Sequence, residues 1–388
     1  NLLFSSELTD ESHLVHKRRI RDRVRAVAPF LRFPEAPYPV VASGRVFWIL
    51  EGFTSSLAFP LSAVYDLGSS RQFVRYVRNS VKVTVDAVTG EILFYRVPVE
   101  DPMADAFAHA YPELFLGIEE MPQDLRDHLR YPRSLLDLQS DVLLQYHQET
   151  AEEFHGQQDV WVQAQELSNS PNPVPYVPEY GIYTLPGEEV AKFQLTNVFV
   201  PAGRENLTAT LVARTDTKGN PEMILMDVPV DDEVLGPRLI EARLEQDPVI
   251  SQQFSLWRTG GSRVWTGHLH LVPVGNRLLY MEPVFLAAEE DAIPDLTRFV
   301  VSDGMRVVMA ESLVEAIALM AGTMFDPESE AGITEDIEPS AGVRPWPTAA
   351  LAMLVQAEER AQAGDWAGFG IALAELRVLL ERLESEGR

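Results

Sequence analysis

Apolar and polar positions alternate with period two over residues 81–86, where Lys82, Thr84 and Asp86 separate Val81, Val83 and Val85. Thr89 and Gly90 supply a turn, and Ile92, Phe94 and Arg96 carry the pattern on. The stretch predicts a β-hairpin with one apolar and one polar face, as a sheet lying on a helix requires. The same grammar occurs upstream: Val40 and Val41 lead to Ser43 and Gly44, and an apolar run from Val46 to Leu50 follows. Before both hairpins, HKRRIRDRVRAVAPFLRF places Ile20, Val24, Val27 and Leu31 on one stripe, which predicts a helix.

Residues 102–161 read as short helices punctuated by Pro112, Pro122 and Pro132. A proline-rich connector, SNSPNPVPYVPEYG, leads into strand-like text that includes FQLTNVFVPA, NLTATLVARTD, ISQQFSLW, RVWTGHLHLVPV and RLLYMEPVFLAA. ESLVEAIALMAG then predicts a helix with Leu313, Ile317 and Met320 on one side. In the last segment Gly364 breaks a helical hairpin and Asp365 caps its second helix. Trp366, Phe369, Leu373, Leu376, Leu380 and Leu383 follow at alternating steps of three and four. That seam needs a partner, either the first tail helix or another chain.

The expected class is therefore α+β: an N-terminal helix with antiparallel hairpins, a short helical middle segment, a β-rich second half and a C-terminal helical hairpin. The expected division is 1–165, 182–322, an acidic Pro/Gly linker at 323–347, and the hairpin at 348–388.

Composition narrows the function. Acidic side chains number 58 against 32 basic, a formal charge of −26. Such a surface repels nucleic acid, which is held chiefly by Lys and Arg on phosphates. There is no cysteine, which excludes disulfides, thiolate catalysis and Cys-based zinc sites. No run of about 18 apolar residues is present, as a membrane-spanning helix needs. The chain starts at Asn1 rather than Met, which points to a segment of a longer protein.

Few residues carry recognisable chemistry. Arg75, Arg78 and Lys82 mark a candidate anion-binding edge on the second hairpin. His268 and His270, two apart on one expected strand, point to one face and can offer two imidazoles to a metal, with no third ligand nearby in sequence. The pairs Glu100 and Asp101, Asp231 and Asp232, and Glu289 and Glu290 are candidate acid/base or calcium carboxylates. Lys17, Arg18, Arg19, Arg21, Arg23 and Arg25 give the first helix a basic face, either solvated or resting on lipid headgroups or an acidic partner. No nucleophile elbow, phosphate loop or helix-loop-helix calcium loop occurs, and no motif names a cofactor.

The DAVTGEILF turn resembles the hairpin of PepSY-type domains. More widely, RDRVRAVAPFLRF, APYPVVASGRVFWILEGFTSS, YVRNSVKVTVDAVTGEILFY, LRDHLRYPRSLLDLQSDVLLQYH, GPRLIEARLEQDPVISQQFSLW and RLLYMEPVFLAA, in this order, resemble the UPF0182 family of bacterial membrane proteins. The resemblance covers most of residues 1–320. It departs at GHLHLVPV and PEAPYPV, so the resemblance lends no support to His268 and His270. It implies N-terminal membrane helices outside this chain, a cell-membrane location and an extracytoplasmic soluble domain, and it transfers no catalytic residue. The expected function is a binding or assembly module whose tail docks a protein partner. The alternatives are a hydrolase of envelope polymers or lipids using a carboxylate acid/base pair, and a ligand-sensing module.

Overall fold

The structure is a computed structural model. It describes residues 17–322 except 69–71, 168–171, 217, 230–232, 275–276 and 288–292. The chain divides into two units, Asn1–Met324 and Phe325–Arg388. The expected linker at 323–347 and the tail seam, Trp366 to Leu383, lie outside the described residues. Within the described residues the class is α+β.

The first layer opens with α1 (Ile20–Val27), which is shorter than its sequence pattern. Pro29 cannot continue the helix, so the buried stripe runs through Val24, Ala28 and Leu31, whereas Val27 turns outward at 46% exposure. Strands β1 (Tyr38–Ala42) and β2 (Arg45–Ser56) meet at Ser43 and Gly44, with φ of 48° and 71°. Two left-handed residues in a two-residue loop match the twist of the flanking strands. A small ladder, β3 (Tyr65–Asp66) with β4 (Phe73–Val74), precedes β5 (Tyr76–Asp86) and β6 (Ile92–Arg96). The Asp86 carboxylate shapes the β5–β6 turn by accepting from the amides of Val88 and Thr89 at 2.8 and 2.7 Å. Helix α2 (Pro102–Ala110) crosses over to β7 (Phe115–Gly117), which joins parallel to β6. The sheet order is β1-β2-β5-β6-β7.

Both faces of this sheet are covered. Val24, Ala28, Leu31 and Phe33 pack on Leu50, Val81, Val83 and Val85. On the other side Ile118, Met121, Leu125 and Leu129, from a 3-10 turn and α3 (Gln123–Arg126), pack on Ile49 and Tyr95. The polar face expected of β5 is therefore interior: Lys82, Thr84 and Asp86 are all buried. A second covering layer was not written in the local alternation.

Helix α4 (Arg133–Tyr146) ties this layer to the next, and α5 (Ala151–Gly156) follows it. Strands β8 (Trp161–Gln163), β9 (Gln165–Glu166) and β10 (Val174–Pro175) lead to β11 (Glu179–Tyr183), β12 (Lys192–Pro201), β13 (Ala209–Thr215) and β14 (Pro221–Asp227). The second sheet runs β11-β12-β13-β14, with β8 also on β12. Leu136 of α4 joins Leu195, Phe199 and Leu211 in one core.

ISQQFSLW is helix, not strand. It lies in α7 (Pro248–Thr259), which follows α6 (Pro237–Gln246). Asp247 caps α7 by accepting from Val249 and Ile250, and Pro248 occupies its first turn. Ile250, Phe254 and Trp257 then fall at helical spacing onto the largest core, which closes against β15 (Arg263–Thr266), β16 (His270–Val274), β17 (Arg277–Ala287) and β18 (Asp295–Ser302). Strand β19 (Val307–Ala310) and α8 (Leu313–Ala321) complete the third sheet's outer side. In α8 it is Ala316 and Met320 that face inward, while Ile317 is exposed.

Candidate functional site

Polar side chains of β2 and β5 meet inside the first layer. Lys82 Nζ donates to Glu51 Oε2 at 2.6 Å and to the Arg130 carbonyl at 2.9 Å. Burial pushes the Glu51 carboxyl above its ordinary range, and Lys82 opposes that shift. Asp101 forms a second polar node. It accepts from Thr54 Oγ1 at 2.5 Å, Tyr76 Oη at 2.7 Å and Ser80 Oγ, and caps α2 through the Met103 amide at 2.9 Å. Burial raises its pKa, but the hydrogen bonds from Ser80, Thr54 and Tyr76 outweigh burial and hold the carboxyl below its usual range. With four donors on it, Asp101 is a structural anchor rather than a free acid, base or calcium ligand. Of the other acidic pairs, Asp231, Asp232, Glu289 and Glu290 lie outside the described residues.

A cavity of about 120 Å³ opens between β5, the residues after β6, the start of α4 and the β13–β14 turn. Buried Lys82 and exposed Arg78 both line it, together with Val77, Val99, Leu135 and Pro221. Among the described residues the Arg78 guanidinium reaches its neighbour's carbonyl, at 3.3 Å, and the Tyr76 ring, at 5.4 Å. Among the described residues it pairs with no carboxylate. The structure thus brings together two of the three candidate anion-binding residues. Arg75 is elsewhere: its guanidinium donates to the Ser62 carbonyl and fastens the preceding loop.

His268 and His270 do not share a strand. The Gly267 amide still donates to the Pro283 carbonyl at 2.7 Å, but strand pairing lapses after it, and β16 begins at His270. The two rings stand edge-on with centroids 5.2 Å apart. His268 Nδ1 lies 2.9 Å from Glu166 Oε2, and its ring is 4.6 Å from that of Tyr176. Burial, then His268, lowers the His270 pKa. Among the described residues no group of three His, Asp or Glu is arranged to hold a metal ion. Nearby in β17, Glu282 is pushed up to about 8, chiefly by burial, with Glu241, Glu166 and Glu245 adding to the rise.

Sequence reasoning missed two of these partners. Glu51 is 31 residues from Lys82, Glu166 is 102 from His268, and no spacing rule links them. The one usable signal was a pair of charges, Glu51 and Lys82, inside otherwise strand-like apolar text.

The sequence profile of an uncharacterised protein family, UPF0182, matches residues 1–257. A UPF0182 protein of Cupriavidus necator is 39% identical over 99% of this chain and 41% of its own length. Those of Pelotomaculum thermopropionicum and Moorella thermoacetica are 35% and 36% identical, over 100% and 98% of this chain and 42% of their own lengths. The chain thus spans about two fifths of the length of these relatives. Among solved structures, an uncharacterized protein from Eubacterium rectale aligns over 76% of this chain and 80% of its own, at 11% identity and a TM-score of 0.17, too slight a likeness to bear on the fold. By the profile match over its first two thirds, this chain belongs to the UPF0182 family.

Proposed function

We propose that this chain is the extracytoplasmic part of a membrane-anchored bacterial envelope protein and works there as a non-catalytic binding and assembly module. The observation that carries the binding reading is the cavity lined by Arg78, a cation without a carboxylate partner among the described residues, in a chain of net charge −26. An unpaired guanidinium beside apolar walls suits a ligand better than it suits the isolated fold. The location rests on the resemblance that introduced the family. The relatives extend well beyond this chain, which leaves room for membrane spans outside it.

The hydrolase reading has one point in its favour, the raised Glu282 carboxyl. That residue is only 3% exposed, so an envelope polymer does not reach it in this conformation. The tail seam at Trp366, Phe369, Leu373, Leu376, Leu380 and Leu383 is proposed as the surface that docks a protein partner.

The test uses the full-length protein in cells. Protease added to intact cells is expected to cut this region, and cross-linking is expected to capture a partner that is lost when residues 348–388 are removed. Protection from protease until the cells are lysed would overturn the location. Capture that survives the truncation would overturn the tail's role.

A further inference from the structure

We infer that the cavity beside Arg78 and Lys82 is a binding site for a small organic monocarboxylate with a short apolar tail. The inference rests on the binding reading and names its ligand class. Charge sets the first constraint. Lys82 is neutralised by Glu51 at 2.6 Å, so the guanidinium of Arg78 leaves one net positive charge on the lining, which matches a monoanion. Two of the three ammonium donors of Lys82 are occupied, by Glu51 and by the Arg130 carbonyl. The third has no protein partner among the described residues. Guanidinium and carboxylate also match in planar geometry, with two parallel hydrogen bonds.

Size and wall chemistry set the rest. The volume is about 120 Å³, similar to a cavity of roughly 150 Å³ that admits benzene. That limits the enclosed part of the occupant to about six heavy atoms, a ring or short chain, with its carboxylate toward exposed Arg78. Val77, Val99, Leu135 and Pro221 give apolar wall, and of the polar side chains beside them Tyr131 donates to Gln139 at 2.7 Å and Asn79 to the Gly52 carbonyl at 3.3 Å, so the part of the ligand away from the carboxylate meets a chiefly apolar lining. Inorganic phosphate satisfies the charge but leaves these walls without a partner. A peptide or polymer exceeds the space.

The experiment is titration calorimetry of the chain with benzoate, its neutral isostere benzamide, and inorganic phosphate. Benzoate is expected to saturate at one site per chain, with benzamide and phosphate each at least tenfold weaker. Arg78→Ala, at an exposed position, should weaken benzoate at least tenfold. Val99→Trp should fill the cavity and abolish binding, with both variants unfolding near the parent's urea midpoint. Equal affinity for benzoate and benzamide would overturn the inference, as would benzoate binding indifferent to both substitutions. Phosphate bound as tightly as benzoate, and lost in Arg78→Ala, would overturn the ligand class and leave the binding reading standing. Heat from none of the three would overturn the inference, while partner capture in cells would still decide the binding reading separately.

Discussion

Lys82 Nζ lies 2.6 Å from Glu51 Oε2, and each side chain is only 2% exposed. The pair joins β2 to β5 in the register that sets Glu51 opposite Lys82. A buried pair adds little net stability over well-packed apolar residues, but removing one partner strands the other charge.

Lys82→Met is accordingly expected to lose about 3–5 kcal/mol of unfolding free energy near neutral pH. The double variant Glu51→Leu with Lys82→Met should recover most of the loss. In the single variant Glu51 is expected to take up a proton, so the loss should shrink as pH is lowered. Urea unfolding at pH 5 and 7 measures both effects. A near-neutral Lys82→Met at pH 7 would contradict a sealed pair.

Asp101 holds the end of α2 and the hydroxyls of Thr54, Ser80 and Tyr76 together, at 1% exposure. Asp101→Ala leaves those donors without an acceptor and should cost about 3–5 kcal/mol. Its folded pKa is depressed. Its stabilisation is therefore present above the ordinary aspartate range and is lost as pH falls through the depressed folded value. Asp101→Asn should keep part of the cap and flatten the acid side of the stability curve. An unchanged acid limb, measured by urea midpoints from pH 6 downward, would count against the node.

The hairpins were legible because their turns are local. Ser43 and Gly44 fix one pairing, and the Asp86 carboxylate with Gly90 fixes the next, without reference to the rest of the chain. The orientation of β5 was not legible. Alternation tells which residues share a face, but not whether a second layer covers that face. Helix α7 lies in text that also fits a strand, and what decides for helix is the cap at Asp247 with Pro248 behind it. For the cavity, the sequence offered Arg78 and Lys82 as cations on one strand. It could not offer Leu135 or Pro221, because only tertiary packing brings α4 and the β13–β14 turn to them.

Arg214 donates from its terminal nitrogens to Glu188 at 2.9 and 2.6 Å and from Nε to Glu222 at 2.6 Å, with its own side chain 4% exposed. Hydrogen bonds from Arg214, then Lys192, carry the Glu188 carboxyl down to about 2. The stabilisation is present above the ordinary glutamate range and is lost as pH falls toward about 2. Glu188 is partly open to solvent, which screens the effect. Glu188→Gln should cost little near pH 7 and reduce the loss of stability between pH 5 and 2. Arg214→Lys cannot hold both carboxylates in planar fashion and should destabilise more at pH 7 than Glu188→Gln. Thermal midpoints across that range decide it, and identical acid limbs for parent and Glu188→Gln would refute the coupling.

Glu282 gives the opposite pH dependence. In the folded chain its carboxyl is raised to about 8, first by burial, and also by Glu241, Glu166 and Glu245 around it. Thr266 donates a hydrogen bond that works against the rise. Between the ordinary glutamate value and about 8, the folded state holds a proton that the unfolded chain has released. Stability from this group is therefore complete below the unfolded pKa and declines with rising pH, by up to about 1.4 kcal/mol per unit. Glu282→Gln keeps the shape of the neutral acid and cannot ionise. It should lie close to the parent at pH 5 and become the more stable protein at pH 9. Urea unfolding of both at pH 5, 7 and 9 measures the crossing. Parallel curves would mean that the carboxyl ionises in the folded state near its ordinary pH, and that water reaches the interior of β17.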